Sequence, residues 1–361
     1  MGTQRLSSIE TKRFIFEPLS DFLKARDVAL ANRAVINDIA VIAILGTRSI
    51  GKTTLLKQLY DTAPAVSEYI DLSVSIRDSK FEEYFAACNA SGKTRILLDE
   101  VCKIDKEYEA DFVKAVKDYV PFMSFVITGS TQAVVAHLSA EICRGIDVEL
   151  VPIMYAESLA WSQGSSVVQP KSEVLNSTIS LFEEYLRKGG IATKSLATQP
   201  LSLNEEQLDL QFENLVLCRL SACHSYIDKY RAPNQLGEIG SPEDELDALY
   251  LYTVRSLSSS MVCGVESKWR PRESISNIRI AGYVKLVNRL GLDELALTST
   301  TVNAEEFTTG KLDVPTKIYR CDLLVLGLEE EYMQLVKSNL SGRECIGSSK
   351  SVSEIMGELL G

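Results

Sequence analysis

The pattern of apolar and polar positions changes character near Pro152. Between Asp38 and Pro152, short apolar runs alternate with amphipathic stretches, the pattern of parallel strands joined by crossover helices. Ala40–Leu45 is a continuous apolar run rich in β-branched residues, as a strand covered on both faces requires. The same reading predicts strands at Ser67–Asp71, Arg95–Leu98, Met123–Thr128 and Val148–Leu150. Helices are predicted at Lys52–Tyr60, Lys80–Ala87, Tyr108–Tyr119 and Thr131–Leu138. Ahead of this block, Phe14, Phe16, Leu19, Phe22 and Leu23 give the N-terminal segment an apolar helical face suited to covering the sheet edge. After Pro152, helical periodicity predicts Tyr155–Ser162, Val174–Lys188, Asn204–His224, Glu245–Ser258 and Ser276–Leu290. Strand-like runs fall at Glu294–Thr298 and Lys317–Leu326, and a polar, Ser-rich tail begins at Ser338. The expected organisation is an N-terminal helical segment (1–38), an α/β core (39–155), a helical region (156–236), a smaller mixed domain (237–330) and a tail (331–361).

Composition narrows the options only a little. With 361 residues there is room for two or three domains, each with its own core. A net charge of −11 excludes a general coat for nucleic acid, so any such contact has to come from a local patch. Eight cysteines lack any C-x-x-C pair, and only His137 and His224 could join them around a metal. Cys218 and Cys223, with His224, read as thiols on a buried helix face in preference to a zinc site. Neither a secretory leader nor a run of about 18 apolar residues is found, so a cytoplasmic protein with reduced thiols and no membrane contact is expected.

The chemistry concentrates directly after the first strand. Gly46-Thr47-Arg48-Ser49-Ile50-Gly51-Lys52-Thr53-Thr54 is a complete phosphate-binding loop, with strand, glycine loop and helix in the required order. Glycines let the chain turn so that successive amides and the helix N-terminus face a phosphate. Lys52 would reach the β- and γ-phosphates of ATP as a point charge, and the Thr53 hydroxyl would take one coordination place on Mg²⁺. The other half of such a site is Arg95-Ile96-Leu97-Leu98-Asp99-Glu100, an apolar strand ending in two carboxylates beside the loop. Asp99 is expected to hold the Mg²⁺ and Glu100 to polarise the attacking water. The next strand ends in Thr128-Gly129-Ser130, where a polar sensor of the γ-phosphate is expected, with Ser130 the first choice and Thr128 the second.

These residues resemble a large group of prokaryotic AAA-type P-loop ATPases, related to the STAND and archaeal ATPase clades. Gly46–Leu56 follows their G-P-R-x-x-G-K-T-T-L-L loop, and Tyr69–Leu72, Leu97–Lys103 and Val126–Ser130 resemble their successive strand ends. Glu149-Leu150-Val151-Pro152-Ile153 with Glu157 is similar to the family's E-L-x-P-L-S-x-x-E segment, and Tyr185–Gly190 to its Y-L-x-x-G-G-x-P. The likeness covers roughly residues 30 to 195. It implies a parallel P-loop sheet followed by a helical lid and a winged-helix-like domain. Two departures stand out. Members usually carry Gly-Arg before the Pro-containing strand, whereas this chain reads Cys143-Arg144-Gly145-Ile146, so either Arg144 is the arginine finger from a shifted position or the finger is absent. Many relatives also carry an E-V-D…E-x-K constellation in a nuclease-like C-terminal domain. Glu266-Ser267-Lys268 has the E-x-K spacing here but lacks an acidic partner on a recognisable preceding strand.

Between residues 268 and 289, Lys268, Arg270, Arg272, Arg279, Lys285 and Arg289 are opposed by one acid, Glu273. That basic patch would suit phosphate contact with DNA, or an acidic surface of a partner or second subunit. The expected function is an ATP-binding, ATP-hydrolysing switch that controls a partner protein or DNA-associated complex. The alternatives are a nucleotide-dependent assembly module with little turnover and a DNA-stimulated ATPase. Small-molecule kinase chemistry is disfavoured by the Asp99-Glu100 pair.

Overall fold

Ala40–Leu45 does pass through the centre of a sheet, as β1 (Val41–Leu45), with Val41, Ile42, Ala43 and Ile44 fully buried. The structure is a computed structural model that describes residues 12–32, 39–74, 80–142, 145–162, 178–188, 203–223, 225–227, 230–231, 245–254, 259–269, 283, 287–288, 290–301, 304–308 and 315–341. The chain divides into two compact units, one built around residues 12–153 and the other around residues 154–335.

The first unit begins with α1 (Phe16–Ala31). After β1 come α2 (Lys52–Thr62), β2 (Ser67–Asp71), α3 (Phe81–Ala90) and β3 (Arg95–Asp99). The series continues with α4 (Glu109–Tyr119), β4 (Ser124–Thr128), α5 (Gln132–Ile142) and β5 (Gly145–Glu149). The strands form one parallel sheet in the order β2-β3-β4-β1-β5. Crossover helices cover a sheet of this kind on its faces, which is why β3 and β4 are buried at every position. Phe81, Phe85, Phe112 and Phe125 meet edge to face on one side and anchor that core. The C-terminal part of α1 reaches the N-terminal ends of the strands, where Arg26 donates to Ser124 Oγ at 2.8 Å and Asp27 pairs with the buried Arg95.

The second unit opens with α6 (Tyr155–Ser162), α7 (Ile179–Arg187) and α8 (Glu205–Cys223). Two carboxylates cap α6: Glu157 accepts from Met154 N at 2.8 Å, and Glu329 accepts from Tyr155 N and Ala156 N at 2.7 and 3.0 Å. Glu329 in turn receives the guanidinium of Arg219, whose Nη2 also donates to Tyr185 Oη at 3.2 Å. Glu157 and Tyr185 belong to the sequence segments that resembled the ATPase family, and their role here is to hold this helical cluster together.

Beyond α8 the structure departs from the sequence expectation. Strands β6 (Ser225–Ile227), β7 (Tyr230–Arg231), β8 (Glu245–Leu246), β9 (Ala248–Val254), β10 (Ser259–Glu266), β11 (Glu294–Ser299), β12 (Ala304–Thr308) and β13 (Pro315–Arg320) precede the long α9 (Cys321–Leu340). Six of them form a mixed sheet in the order β12-β13-β11-β10-β9-β6, and β7 pairs with β8. Five strands of this sheet, β9 to β13, therefore fall in the span expected to be winged-helix-like. The helix expected over Glu245–Ser258 is not found at residues 245–254, because Leu249, Tyr250, Leu251 and Tyr252 are drawn into an antiparallel ladder with β10. Lys317–Leu326 is not one strand either. It ends at Arg320, which clasps Asp322 with two hydrogen bonds as α9 begins.

Candidate functional site

The loop between β1 and α2 is shaped by three left-handed residues: Gly46 (φ 137°), Ser49 (φ 67°) and Gly51 (φ 104°). At Gly46 the need for glycine is also steric, since a Cβ there would lie 2.7 Å from the carbonyl oxygen of Leu150. α2 starts at Lys52, so its first unpaired amides follow directly on the loop. The Lys52 ammonium donates to the carbonyls of Gly46 at 2.7 Å and Thr47 at 2.9 Å, which holds its charge inside the loop's curve. Burial lowers the pKa of Lys52, while the nearby carboxylates of Glu100 and Asp99 oppose that shift.

Sequence reading missed one residue of this loop's support. Arg13, almost fully buried ahead of α1, donates Nη1 to Ile50 O at 3.1 Å and Nη2 to Val151 O at 2.8 Å. It ties the outer side of the phosphate loop to the segment that follows β5. Its sequence signal is an arginine beside the apolar start of a predicted helix, which surface arginines share.

β3 brings the carboxylates in. Its register against β2 and β4 puts Asp99 opposite Asp71, at the same sheet edge as the phosphate loop. Asp99 is buried and accepts from Tyr69 Oη at 3.0 Å. Burial raises its pKa, and hydrogen bonds from Thr53 and Tyr69 pull in the opposite direction. Thr53 and Asp99, far apart in the chain, thus meet as the two expected Mg²⁺ holders. Glu100 follows in a left-handed conformation (φ 58°). Ser49 and Glu100 are the two described non-glycine residues in that region, and both lie in this site. Glu100 Oε2 accepts from Ser130 N at 3.1 Å and from the Cys102 thiol at 3.2 Å. Burial alone would raise the pKa of Glu100, but hydrogen bonds from Ser130 and Cys102 bring it below its usual value. The two sensor choices separate cleanly: Ser130 meets Glu100, whereas Thr128 is fully buried and donates to Ile44 O inside the sheet at 3.0 Å.

The residues present fit ATP with Mg²⁺. A curved run of backbone closed by Gly46, a lysine held within it, and a hydroxyl against a buried carboxylate form the donor set that such a group needs.

The remaining sequence candidates fare differently. Arg144 lies outside the described residues. The strand that follows it starts with Gly145 opposite Val41, at the N-terminal end of β1 and so at the sheet edge away from the phosphate loop. Ile146 is an edge-strand residue paired with Ile42. Arg270, Arg272, Arg279, Lys285 and Arg289 of the basic patch also lie outside the described residues. Lys268 is described, and its ammonium is held by Asp247 Oδ1 at 3.0 Å and Glu213 Oε2 at 3.4 Å. It is therefore a member of an ion-pair cluster and not an open cation for phosphate. This also corrects the reading of the Glu266-Ser267-Lys268 triplet, which does have an acidic partner. Asp247 stands just before β9, and its Oδ2 accepts from Ser267 N at 2.7 Å. The missed signal was Glu245-Leu246-Asp247, which differs from the E-V-D half of the constellation only in its middle residue but was read as the start of a helix. Among the described residues, no group of three His, Cys, Asp or Glu side chains is arranged to hold a metal ion, the thiols of Cys218 and Cys223 included. Nor is any described helix long and apolar enough to cross a membrane.

A parallel sheet with a phosphate loop after its first strand and an Asp-Glu pair at the end of a neighbouring strand defines a P-loop nucleotide-binding protein. More particularly, residues 38–159 match the family model of the AAA domain, which makes this segment an AAA-type P-loop domain. No curated protein matches the chain. Among solved structures, it is similar to the Thermotoga maritima RuvB Holliday junction branch migration motor at 15% identity, over 57% of this chain and 62% of that one, with a TM-score of 0.32. A mutant form of Thermotoga maritima RuvB aligns over the same shares at 18% identity and a TM-score of 0.32. The chain thus spans less than two thirds of the length of these structures.

Proposed function

We propose that the first unit binds ATP with Mg²⁺ and hydrolyses it, and that the chain works as a nucleotide-controlled switch on a partner. The observation that carries this reading is the convergence of Lys52, Thr53, Asp99, Glu100 and Ser130 at one sheet edge from three separate strand ends. In this reading the loop amides and Lys52 bind the β- and γ-phosphates, and Thr53 and Asp99 hold Mg²⁺. The bound ion supplies charge neutralisation on the phosphate oxygens. Glu100 orients a water and takes its proton as the new O–P bond forms and the bond to the β-phosphate oxygen breaks. Ser130 senses the γ-phosphate from the adjacent strand end.

Turnover is expected to be slow in the isolated chain. An arginine finger contributes about 10³–10⁵ in rate, and the finger position carries Ile146. Because β5 begins at the far edge of its own sheet, Arg144 would act on a neighbouring subunit's site and not on its own. Control of a protein partner is the favoured output, and DNA stimulation loses support from Lys268. The test is Glu100→Gln: ATP affinity should stay within about twofold while turnover falls roughly 10²-fold or more, the scale of losing a general base. Unchanged turnover in that variant would remove Glu100 from the reaction.

A second reading is favoured by the contact of Asp247 with Lys268 at 3.0 Å, beside the buried Glu266. In it the second unit acts on a nucleic-acid phosphodiester, as the E-V-D…E-x-K constellation of the relatives implies. Cleavage of plasmid or oligonucleotide DNA in Mg²⁺ or Mn²⁺, lost in Asp247→Asn, would support it. Absence of cleavage by the wild type would reject it.

A further inference from the structure

The 3₁₀ turn Val101–Lys103 carries Cys102 back over Glu100. Its sulfur lies 3.2 Å from Glu100 Oε2 and 3.2 Å from Ser130 Oγ, while Ser130 N donates to that same Oε2 at 3.1 Å. A thiol has one proton to give. With that proton on Glu100, the contact between the Cys102 sulfur and Ser130 Oγ closes a ring of three residues, and the Ser130 side chain also hydrogen-bonds the Glu100 carboxylate. Gly129 permits the approach: a Cβ there would stand 3.2 Å from Cys102 Sγ and 3.3 Å from Cys102 N. The ring fixes Oε2 of the Glu100 carboxylate with donors from Cys102 and the Ser130 amide. It also links that carboxylate to Ser130, the residue expected to sense the γ-phosphate.

We propose that Cys102 is a positioning residue for the hydrolytic step, holding Glu100 Oε2 in place and coupling it to Ser130. This rests on the reading of Glu100 as the base given above. A thiol is a weak donor, so its direct contribution is modest, but the aim of a base limits the rate steeply with distance. The effect should fall on turnover and spare nucleotide binding, because the hydrogen bonds of the Cys102 thiol run to Glu100 and Ser130.

The experiment compares wild type, Cys102→Ala and Cys102→Ser in the full chain, with kcat, KM and ATP affinity measured separately. Cys102→Ala should lower kcat by roughly 3- to 10-fold, the effect of losing one modest hydrogen bond, with KM and affinity unchanged. Cys102→Ser, which restores a donor of smaller radius, should recover at least half of the lost rate. Equal kcat in all three proteins, or a loss shared equally by KM and affinity, would overturn the assignment of Cys102. A wild type whose hydrolysis is no faster than that of Lys52→Ala would instead overturn the reading of the site on which it rests.

Discussion

The two units of this chain bury polar groups for different ends. In the first, alongside structural pairs such as Arg95 with Asp27, the buried Lys52, Asp99 and Thr128 lie at or just inside one sheet edge, and two of them face a place where a ligand's phosphates and cation would complete them. In the second, the most deeply buried charge is closed upon itself: Arg219 meets Glu329, and Glu329 caps a helix. The difference separates a site from scaffolding. A functional cluster keeps strained backbone and donors aimed outward, as at Ser49 and Glu100. A structural cluster uses up its charges on its own chain.

That contrast predicts where damage will appear. The largest effect on stability should come from Glu329→Ala, which strands the fully buried Arg219 and uncaps α6. Removing one member of a buried pair costs about 3–5 kcal/mol, so the urea midpoint of the full chain should drop sharply. A midpoint shift near that of a surface substitution would show that this ion pair is not buried as described. Next in size is Gly46→Ala, which combines a left-handed backbone with the approach to Leu150 O. Strain of about 1–3 kcal/mol should weaken ATP binding by roughly 5- to 150-fold, measured by titration, with little change in the fold. The smallest effect belongs to Thr128→Val. It loses the bond to Ile44 O and should cost about 1 kcal/mol of stability while kcat stays near wild type. A large loss of turnover there would move the sensor from Ser130 to Thr128.

The first unit was largely legible in its sequence because each of its strands is a local apolar run and its chemistry follows strand ends. Arg95–Leu98 needed no long-range information to be read as a strand, and its two acids then fell beside the loop. What stayed hidden was support from afar. Arg13 acts through contacts that only the fold creates and belongs to no motif, and the contacts of Cys102 with Glu100 and Ser130 could not be read from its place in the Leu97–Lys103 segment. The second unit resisted reading for another reason. Leu249-Tyr250-Leu251-Tyr252 satisfies helical and strand periods equally, and its antiparallel pairing with β10 decides the matter. Leu323–Leu326 is a continuous apolar run because α9 is buried there, so it imitated a strand. Misreading Glu245–Ser258 as a helix also concealed Asp247, since an acid at a helix start needs no further explanation.

Everything proposed for the first unit depends on the loop at Gly46–Thr54 gripping nucleotide through Lys52 and feeding a hydrolytic pair at Asp99 and Glu100. The most direct test is ATP affinity and Mg²⁺-dependent phosphate release for the wild type and Lys52→Ala, side by side. Measurable binding and slow release are expected of the wild type, with affinity at least about tenfold weaker and release abolished in the variant. Equal affinity and equal release in the two proteins would contradict this reading of the loop.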